Sequence, residues 1–396
     1  MKNGLRVLSL TVILAMIFTV MAPVIAFADE EVSAENTLLS APATDATSSE
    51  AEVSDETPTE ESAPKVEETT DETTETTTEG SGEEGVQQGA YSRDNSYENF
   101  LKKYGNSAKP DHTIIIPATE FVKDDGALPK IEAEYQGRDN ILVWDSEEGK
   151  LTWEFEVPET GLYNLSMSYI AFLKNALTIS FELKIDGLTQ FNSMKNFEFN
   201  RLFVNSLDEF QEDNRGNQLR PSQTQVAMWQ EHTFNDVDGI YLEGFYFYLT
   251  QGTHTMTLEM TGAGVAIENF KFFQTKDAPT YEEYKNRYNT SGMTSTKGDT
   301  IEISAEHANL KSDSMLSPQN DRSDPLIKPY SPSKIKMNII GGTKWQTPGQ
   351  WARWEFEVEE AGWYKIGVRY VQNYLRGMST TRIVRIDGEV PFEDTL

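Results

Sequence analysis

The stretch from Asn200 to Trp229 holds the densest set of side chains suited to recognising a ligand. It supplies Asn200, Arg201, Asp213, Asn214, Arg215, Asn217, Arg220 and Gln223, and closes on Trp229. Planar amides, carboxylates and guanidinium groups match the paired hydroxyls of a sugar, and a tryptophan offers a flat apolar platform to a pyranose face. A few convergent polar groups beside an aromatic make up a small-ligand pocket. The same residues admit a structural reading, in which Asp213 and Arg215 pair to pin a long loop while Gly216 and Asn217 form a turn. Trp144 and Trp345 lie outside the strict alternation of their neighbours, where they serve either as further platforms or as core. Tyr374 and Arg376, with Phe172 and Lys174 nearby in register 201 residues earlier, are weaker candidates.

Catalytic chemistry has no comparable signature. No serine stands in Gly-x-Ser-x-Gly, and none of the four histidines (His112, His232, His254, His307) has a recognisable partner. With 64 Asp and Glu residues, coincidental carboxylate pairs are common, so none is singled out as a glycosidase acid and base. The absence of cysteine excludes disulfides and thiolate metal sites. Lys and Arg total 34, leaving a net charge of −30, which lacks the concentrated basic surface that a nucleic-acid backbone requires. The expectation is a protein that is neither an enzyme nor a nucleic-acid binder.

Residues 1–28 read as an export signal. Lys2 and Arg6 precede an apolar run from Val7 to Ile25, and Ala26-Phe27-Ala28 fits a small-x-small cleavage site. Ser9, Thr11, Thr19 and Pro23 interrupt the run and no basic cluster follows, which favours a cleaved leader over a membrane anchor. Without a cysteine, a lipid anchor is excluded. Residues 29–92 carry 19 acidic residues and one basic residue, Lys65, with almost no aromatics. Such a segment cannot bury enough apolar surface to offset the entropy of ordering, so a disordered linker is expected. The protein is expected outside the cell, at the surface of a Gram-positive-type bacterium, with no membrane insertion once the leader is removed.

The remaining chain is built on a repeat. Residues 144–187 and 345–388 align without a gap at a spacing of 201 residues, matching Trp144 with Trp345, Trp153 with Trp354, Tyr163 with Tyr364 and Asp186 with Asp387. Trp153, Phe155 and Val157 alternate with Glu154 and Glu156, and Tyr163, Leu165, Met167 and Tyr169 alternate after the Pro158–Gly161 turn. This predicts an antiparallel hairpin with one buried face. Further strands are expected at residues 112–120 and 299–306, at 181–185 before the Asp186-Gly187 turn, and at 244–249, 253–260 and 266–273. A short helix at 97–104, carrying apolar residues at i, i+3, i+4 and i+7, precedes the first copy, and a similar segment at 281–288 precedes the second. The fold class is therefore all-β, with tandem antiparallel β-sandwich domains. The expected boundaries are 93–275 for a helix plus a complete sandwich, 276–298 for a helical linker and 299–396 for a second sandwich. Counterparts of residues 188–274 are missing from the second copy, so it is expected to be truncated, with the polypeptide and its further domains continuing past Leu396.

The Trp-x-Phe-x-Val, Pro-Glu-x-Gly-Leu-Tyr, Ile-Asp-Gly and Gly-x-His-x-x-x-Leu signatures resemble those of galactose-binding-like jelly rolls, among them the carbohydrate-binding modules of secreted bacterial glycan-degrading enzymes. The order of helix, sandwich, Asp213–Pro221, helix and second sandwich is similar to the N-terminal half of large Paenibacillus-type extracellular solute-binding proteins, as is the run from Gly341 to Trp351. The resemblance implies jelly-roll topology and a poly- or oligosaccharide partner. Related modules use an acid on the opening strand for a structural calcium, which makes Glu120 and Glu306 the candidate ligands here. No other cofactor is implied. The leading expectation is a secreted, non-catalytic carbohydrate-binding protein. The alternatives are the N-terminal part of a sugar transporter's solute-binding protein and a structural or adhesive surface protein.

Overall fold

The computed structural model describes residues 95–174, 177–289, 300–372, 377 and 379–396, together with the backbone of residues 7–15. The expected linker, the leader cleavage site, Tyr374 and Arg376 lie outside the described residues. In chain order the elements begin with β1 (Val7–Ala15), α1 (Tyr97–Tyr104), β2 (Ile114–Pro117), β3 (Phe121–Asp125), β4 (Lys130–Tyr135) and β5 (Arg138–Trp144). Then come β6 (Lys150–Val157), β7 (Gly161–Ala171), β8 (Ile179–Ile185), β9 (Phe197–Phe199), β10 (Leu202–Asn205), β11 (Gln223–Val226) and β12 (Gln230–Thr233). β13 (Tyr246–Leu249), β14 (Gly252–Met260) and β15 (Val265–Phe273) finish the first module. The second contains α2 (Tyr281–Asn289), β16 (Leu310–Lys311), β17 (Pro318–Gln319), β18 (Ile339–Ile340), β19 (Trp351–Glu357) and β20 (Thr381–Ile386). None of the described helices is long and apolar enough to cross a membrane.

The first module is a two-sheet antiparallel sandwich. One sheet runs β12-β7-β15-β5-β4, with β13 also on β7 and β2 also on β15; the other runs β3-β6-β14-β8-β9. Side chains alternate along each strand, so Trp153, Phe155 and Val157 of β6 meet Tyr163, Leu165, Met167 and Tyr169 of β7 in one core. Trp153 is fully buried and donates its indole N–H to the carbonyl of Ala118 at 2.9 Å, so its polar atom is satisfied inside the core. α1 caps one end. Ser96 accepts from the Asn99 amide, and Tyr97 and Phe100 insert beside Phe191 and Phe245. Burial pushes the Tyr97 hydroxyl up to about 12.

The turn at Pro158–Gly161 does not make the expected hairpin. β6 pairs with β3 and β14, whereas β7 pairs with β12, β13 and β15, so the turn carries the chain from one sheet to the other. Gly161 is needed at this corner: a Cβ there would stand 2.4 Å from Pro110 and 2.6 Å from the Ala108 carbonyl. That carbonyl accepts from the Leu162 amide. Asp186 and Gly187 have φ of 51° and 75°, and Asp387 and Gly388 have 52° and 87°, the left-handed pair of a type I′ turn in both copies.

The second module keeps part of this plan. Trp354 donates to the Ala305 carbonyl at 3.1 Å, as Trp153 does to Ala118, and packs with Ala308, Leu316, Ile340 and Ala352. Two expected strands do not form. Residues 300–306 and the segment Tyr364–Tyr370, the repeat counterpart of the strand holding Tyr163 to Tyr169, are not strands among the described residues, and Tyr364, Ile366, Val368 and Tyr370 are exposed. Their first-module counterparts, β2 and β7, are both hydrogen-bonded to β15. Nothing among the described residues takes the place of β15 here, and alternation without a partner does not hold an extended segment in a sheet. The front of the apolar run that reads as a leader is itself a strand, β1, lying between β19 and β20.

Truncating Trp153 to alanine should cost the first module about 3–5 kcal/mol. Urea unfolding monitored on the full chain checks this.

Candidate functional site

The insertion singled out by its polar residues is divided among three places. The first lies under the loop after β7. Arg201 is buried, and its guanidinium donates to the Phe172 carbonyl at 2.7 Å and twice to the Leu177 carbonyl, at 2.9 and 2.7 Å. Gln225 donates to the same Phe172 carbonyl at 2.9 Å. The Asn200 carbonyl accepts from the Tyr169 hydroxyl at 2.8 Å and from Gln230. These groups shape the loop from below.

The second place is the seam with the other module. Asp213 accepts from the backbone N–H groups of Arg215 (2.8 Å) and Asn217 (2.9 Å) and from the Asn217 amide (2.9 Å). Hydrogen bonds from Asn217 hold the Asp213 carboxyl below its usual range. The loop is thus pinned through the Arg215 backbone and Gly216 (φ 76°), without a guanidinium–carboxylate pair. Asn217 then accepts from the Ile335 amide, Gln218 from the Met337 amide, and Glu212 pairs with Lys336 at 2.5 Å. The side chains of Arg215 and Arg220 project exposed from this loop. β10 and β11 extend the second module's sheet through β16. Lys311 of β16 is fully buried there, donating to Asn205 (2.6 Å) and Gln223 (2.5 Å).

The third place is the outer face of the β12-β7-β15-β5-β4 sheet. Trp229 donates its indole N–H to the Gln136 carbonyl at 3.0 Å, and the Arg138 guanidinium stacks 4.6 Å from its ring. Trp229 packs with Tyr135, Val143, Phe172 and Ala227 over the buried Ile141, Ile170 and Ala266. Beside it opens a cavity of about 400 Å³ lined by Tyr135, Gln136, Val143, Asp145, Ala171, Phe172, Leu173, Lys174 and Ala227. Tyr135 and Phe172 meet edge to face, with centroids 6.5 Å apart. Lys174 pairs with Asp145 at the rim.

A charged row continues along the same face. Arg138 pairs with Glu268 and donates to Ser168 at 2.8 Å, while Ser168 donates to Glu268 at 2.7 Å. Lys271 pairs with Glu231, which also accepts from Ser166 at 2.9 Å. Partial burial raises the Glu231 carboxyl, but hydrogen bonds from Lys271 and Ser166 and the charge of Arg138 outweigh this and hold it below its usual range. Glu231 is therefore an anion at neutral pH, suited to accept hydrogen bonds rather than to deliver a proton. Strand alternation produces this face: Ser166, Ser168 and Ile170 point outward from β7 because Leu165, Met167 and Tyr169 point into the core.

The remaining candidates sit apart from this face. Trp144 is fully buried against Phe181, with its indole N–H aimed at the Glu148 carbonyl. Trp345 packs against the second module's core with Arg382 5.2 Å from its ring. Glu120 is exposed, and Glu306 is buried with its carboxyl raised by desolvation. The two lie in different modules, and among the described residues no group of three acid or histidine side chains is arranged around a common point. Sequence reasoning missed Tyr135, Asp145, Arg138, Glu268 and Lys271. Glu268 and Lys271 lie on a strand whose inward residues are apolar, whereas no such alternation marks Tyr135, Arg138 or Asp145.

No family model matches the chain, and no curated protein does. Several solved structures are similar over part of it. A family 35 carbohydrate binding module from Clostridium thermocellum is 15% identical, with 41% of this chain and 99% of that one covered and a TM-score of 0.24. A module of the same family from Paenibacillus barcinonensis is 15% identical over 41% and 99%, with a TM-score of 0.26. A GH26-CBM35 β-(1,4)-mannanase from Podospora anserina is 14% identical over 43% of this chain, with a TM-score of 0.24, and the match spans only 29% of the mannanase.

Burial depresses the Lys311 ammonium to about 8 from 10.5. The unfolded chain then binds more protons than the folded one between these values, so this residue makes stability rise with pH across that window. Urea midpoints between pH 8 and 10.5 should climb more steeply in the wild type than in Lys311→Met.

Proposed function

We propose that the first module binds poly- or oligosaccharide on the outer face of its β12-β7-β15-β5-β4 sheet, as a non-catalytic module of an exported, surface-located protein. The observation that carries this reading is the open cavity of about 400 Å³ walled by Tyr135 and Phe172, with the Trp229 ring packed beside it. Flat apolar rings take the C–H face of a sugar, and a few polar groups beside them fix its orientation. Asp145 and Lys174 at the rim, with Arg138, Glu268 and Glu231 beyond it, supply charged acceptors and donors for hydroxyl groups along an extended chain. The row of polar groups leads away from the cavity, a layout that suits successive sugar units better than one isolated ring.

Arg201 enters as a positioning residue. It holds the Phe172 and Leu177 carbonyls, and so the loop that carries Leu173 and Lys174 into the cavity wall. The export part of the reading rests on the leader-like sequence of residues 1–28, whose cleavage would remove β1 from the folded protein.

Titration of the full chain against soluble bacterial and plant oligosaccharides tests the proposal. Phe172→Ala should weaken binding by at least about tenfold, as expected for truncating a central aromatic. Arg215→Ala, at the seam, should leave binding unchanged. Unaltered affinity in Phe172→Ala, or no binding of any glycan by the wild type, rules the reading out.

A further inference from the structure

β1 occupies a position that the first module fills with β14. In the first module, β14 lies between β6 and β8, antiparallel to both. In the second, β1 lies between β19 and β20, antiparallel to both. The registers coincide. Met256 opposes Trp153 and Ile185, and Leu10 opposes Trp354 and Ile386, which are the 201-residue counterparts of those two. Likewise Leu258 opposes Leu151 and Leu183, and Val12 opposes Ala352 and Val384. The inward-facing His254, Met256, Leu258 and Met260 thus correspond to Leu8, Leu10, Val12 and Leu14, all four apolar in sequence.

The slot also differs from its first-module counterpart in charge. Thr11 opposes Arg353 on one side and Arg385 on the other, whereas Thr257 in β14 opposes Thr152 and Lys184. Arg353 reaches Glu355 through one terminal nitrogen at 2.8 Å, but its buried Nε has no hydrogen-bond partner. Burial lowers the Arg385 guanidinium, so it too sits where an anion would relieve the cost of desolvation. Directly opposed cross-strand side chains are near enough to pair, and an opposite charge there is stabilising.

We propose that the second module is a strand acceptor: the slot between Trp351–Glu357 and Thr381–Ile386 takes an extended peptide with apolar residues at successive alternate positions, as at Met256, Leu258 and Met260, and a carboxylate on the other face between Arg353 and Arg385. In the uncleaved chain β1 fills the slot, having the apolar alternation although Thr11 supplies no charge, and removal of residues 1–28 on export would free it. The mode is β-augmentation, in which main-chain hydrogen bonds give affinity and alternate side chains give specificity. This inference stands apart from sugar binding, which concerns another sheet of the other module.

The test is hydrogen exchange on the full chain carrying Leu10→Asp and Val12→Asp, which clears β1 from the slot. A peptide of residues 252–260 should slow exchange of the amides in Trp351–Glu357 and Thr381–Ile386 by about tenfold or more. The same peptide with its apolar positions shifted by one residue should not. The form carrying Thr257→Glu should give the same protection at about threefold lower concentration, and this advantage should shrink in high salt. Exchange in β6, β14 and β8 reports that the first module is intact throughout. The acceptor role is overturned if the 252–260 peptide gives no protection or if the shifted peptide protects equally. The charge assignment is overturned if Thr257→Glu brings no gain.

Discussion

Alternating segments in this protein form strands only where a neighbouring strand lies alongside to pair with them. β7 shows the requirement met in full. All eleven of its residues are buried, with β15 on one edge, β12 and β13 on the other, the core beneath and the side chains of Trp229, Glu231, Glu268 and Lys271 around its outer face. Its repeat counterpart in the second module, with a similar alternating sequence, has no such neighbours among the described residues and stays out of any sheet. A buried, unpaired backbone group costs about as much as a lost hydrogen bond, so a segment with nowhere to pair remains in water. The candidate sugar site and the strand slot both follow from this constraint. The outer face presents the proposed recognition surface because the core beneath it fixes which residues point outward. The proposed docking slot arises because two strands, β19 and β20, present facing edges on either side of β1.

The insertion gains its role from the same logic. A long loop on an isolated sandwich would leave its backbone groups to water. Here β10 and β11 join the second module's sheet, and Asn217 and Gln218 hold the backbone of Ile335 and Met337. Of the polar side chains that suggest ligand recognition, Asn217 and Gln223 join one module to the other, Arg201 shapes the loop after β7, and Trp229 reaches the sheet face with Arg138.

Much of the fold was legible in the sequence. Trp153, Phe155 and Val157 announce a strand with one buried face, the Asp-Gly pairs announce their turns, and the tyrosines of α1 and α2 announce helices. Alternation reports which face of a strand is buried, but it does not report which strand lies alongside. That is why the Pro158–Gly161 turn read as a hairpin when it is a corner between sheets, and why Tyr364–Tyr370 read as a strand. The site was less legible. Its aromatic wall joins Tyr135, Phe172 and Trp229 from three distant segments, and the contacts from Asn217 to Ile335 span 118 residues, so no local pattern marks either.

Chemical-shift mapping of the full chain with an oligosaccharide ligand tests the central claim most directly. The account predicts shifts concentrated at residues 135–145, 168–174 and 227–231, on the outer face of the β12-β7-β15-β5-β4 sheet. Shifts centred on the Asp213–Arg220 loop, or on the second module, would contradict it.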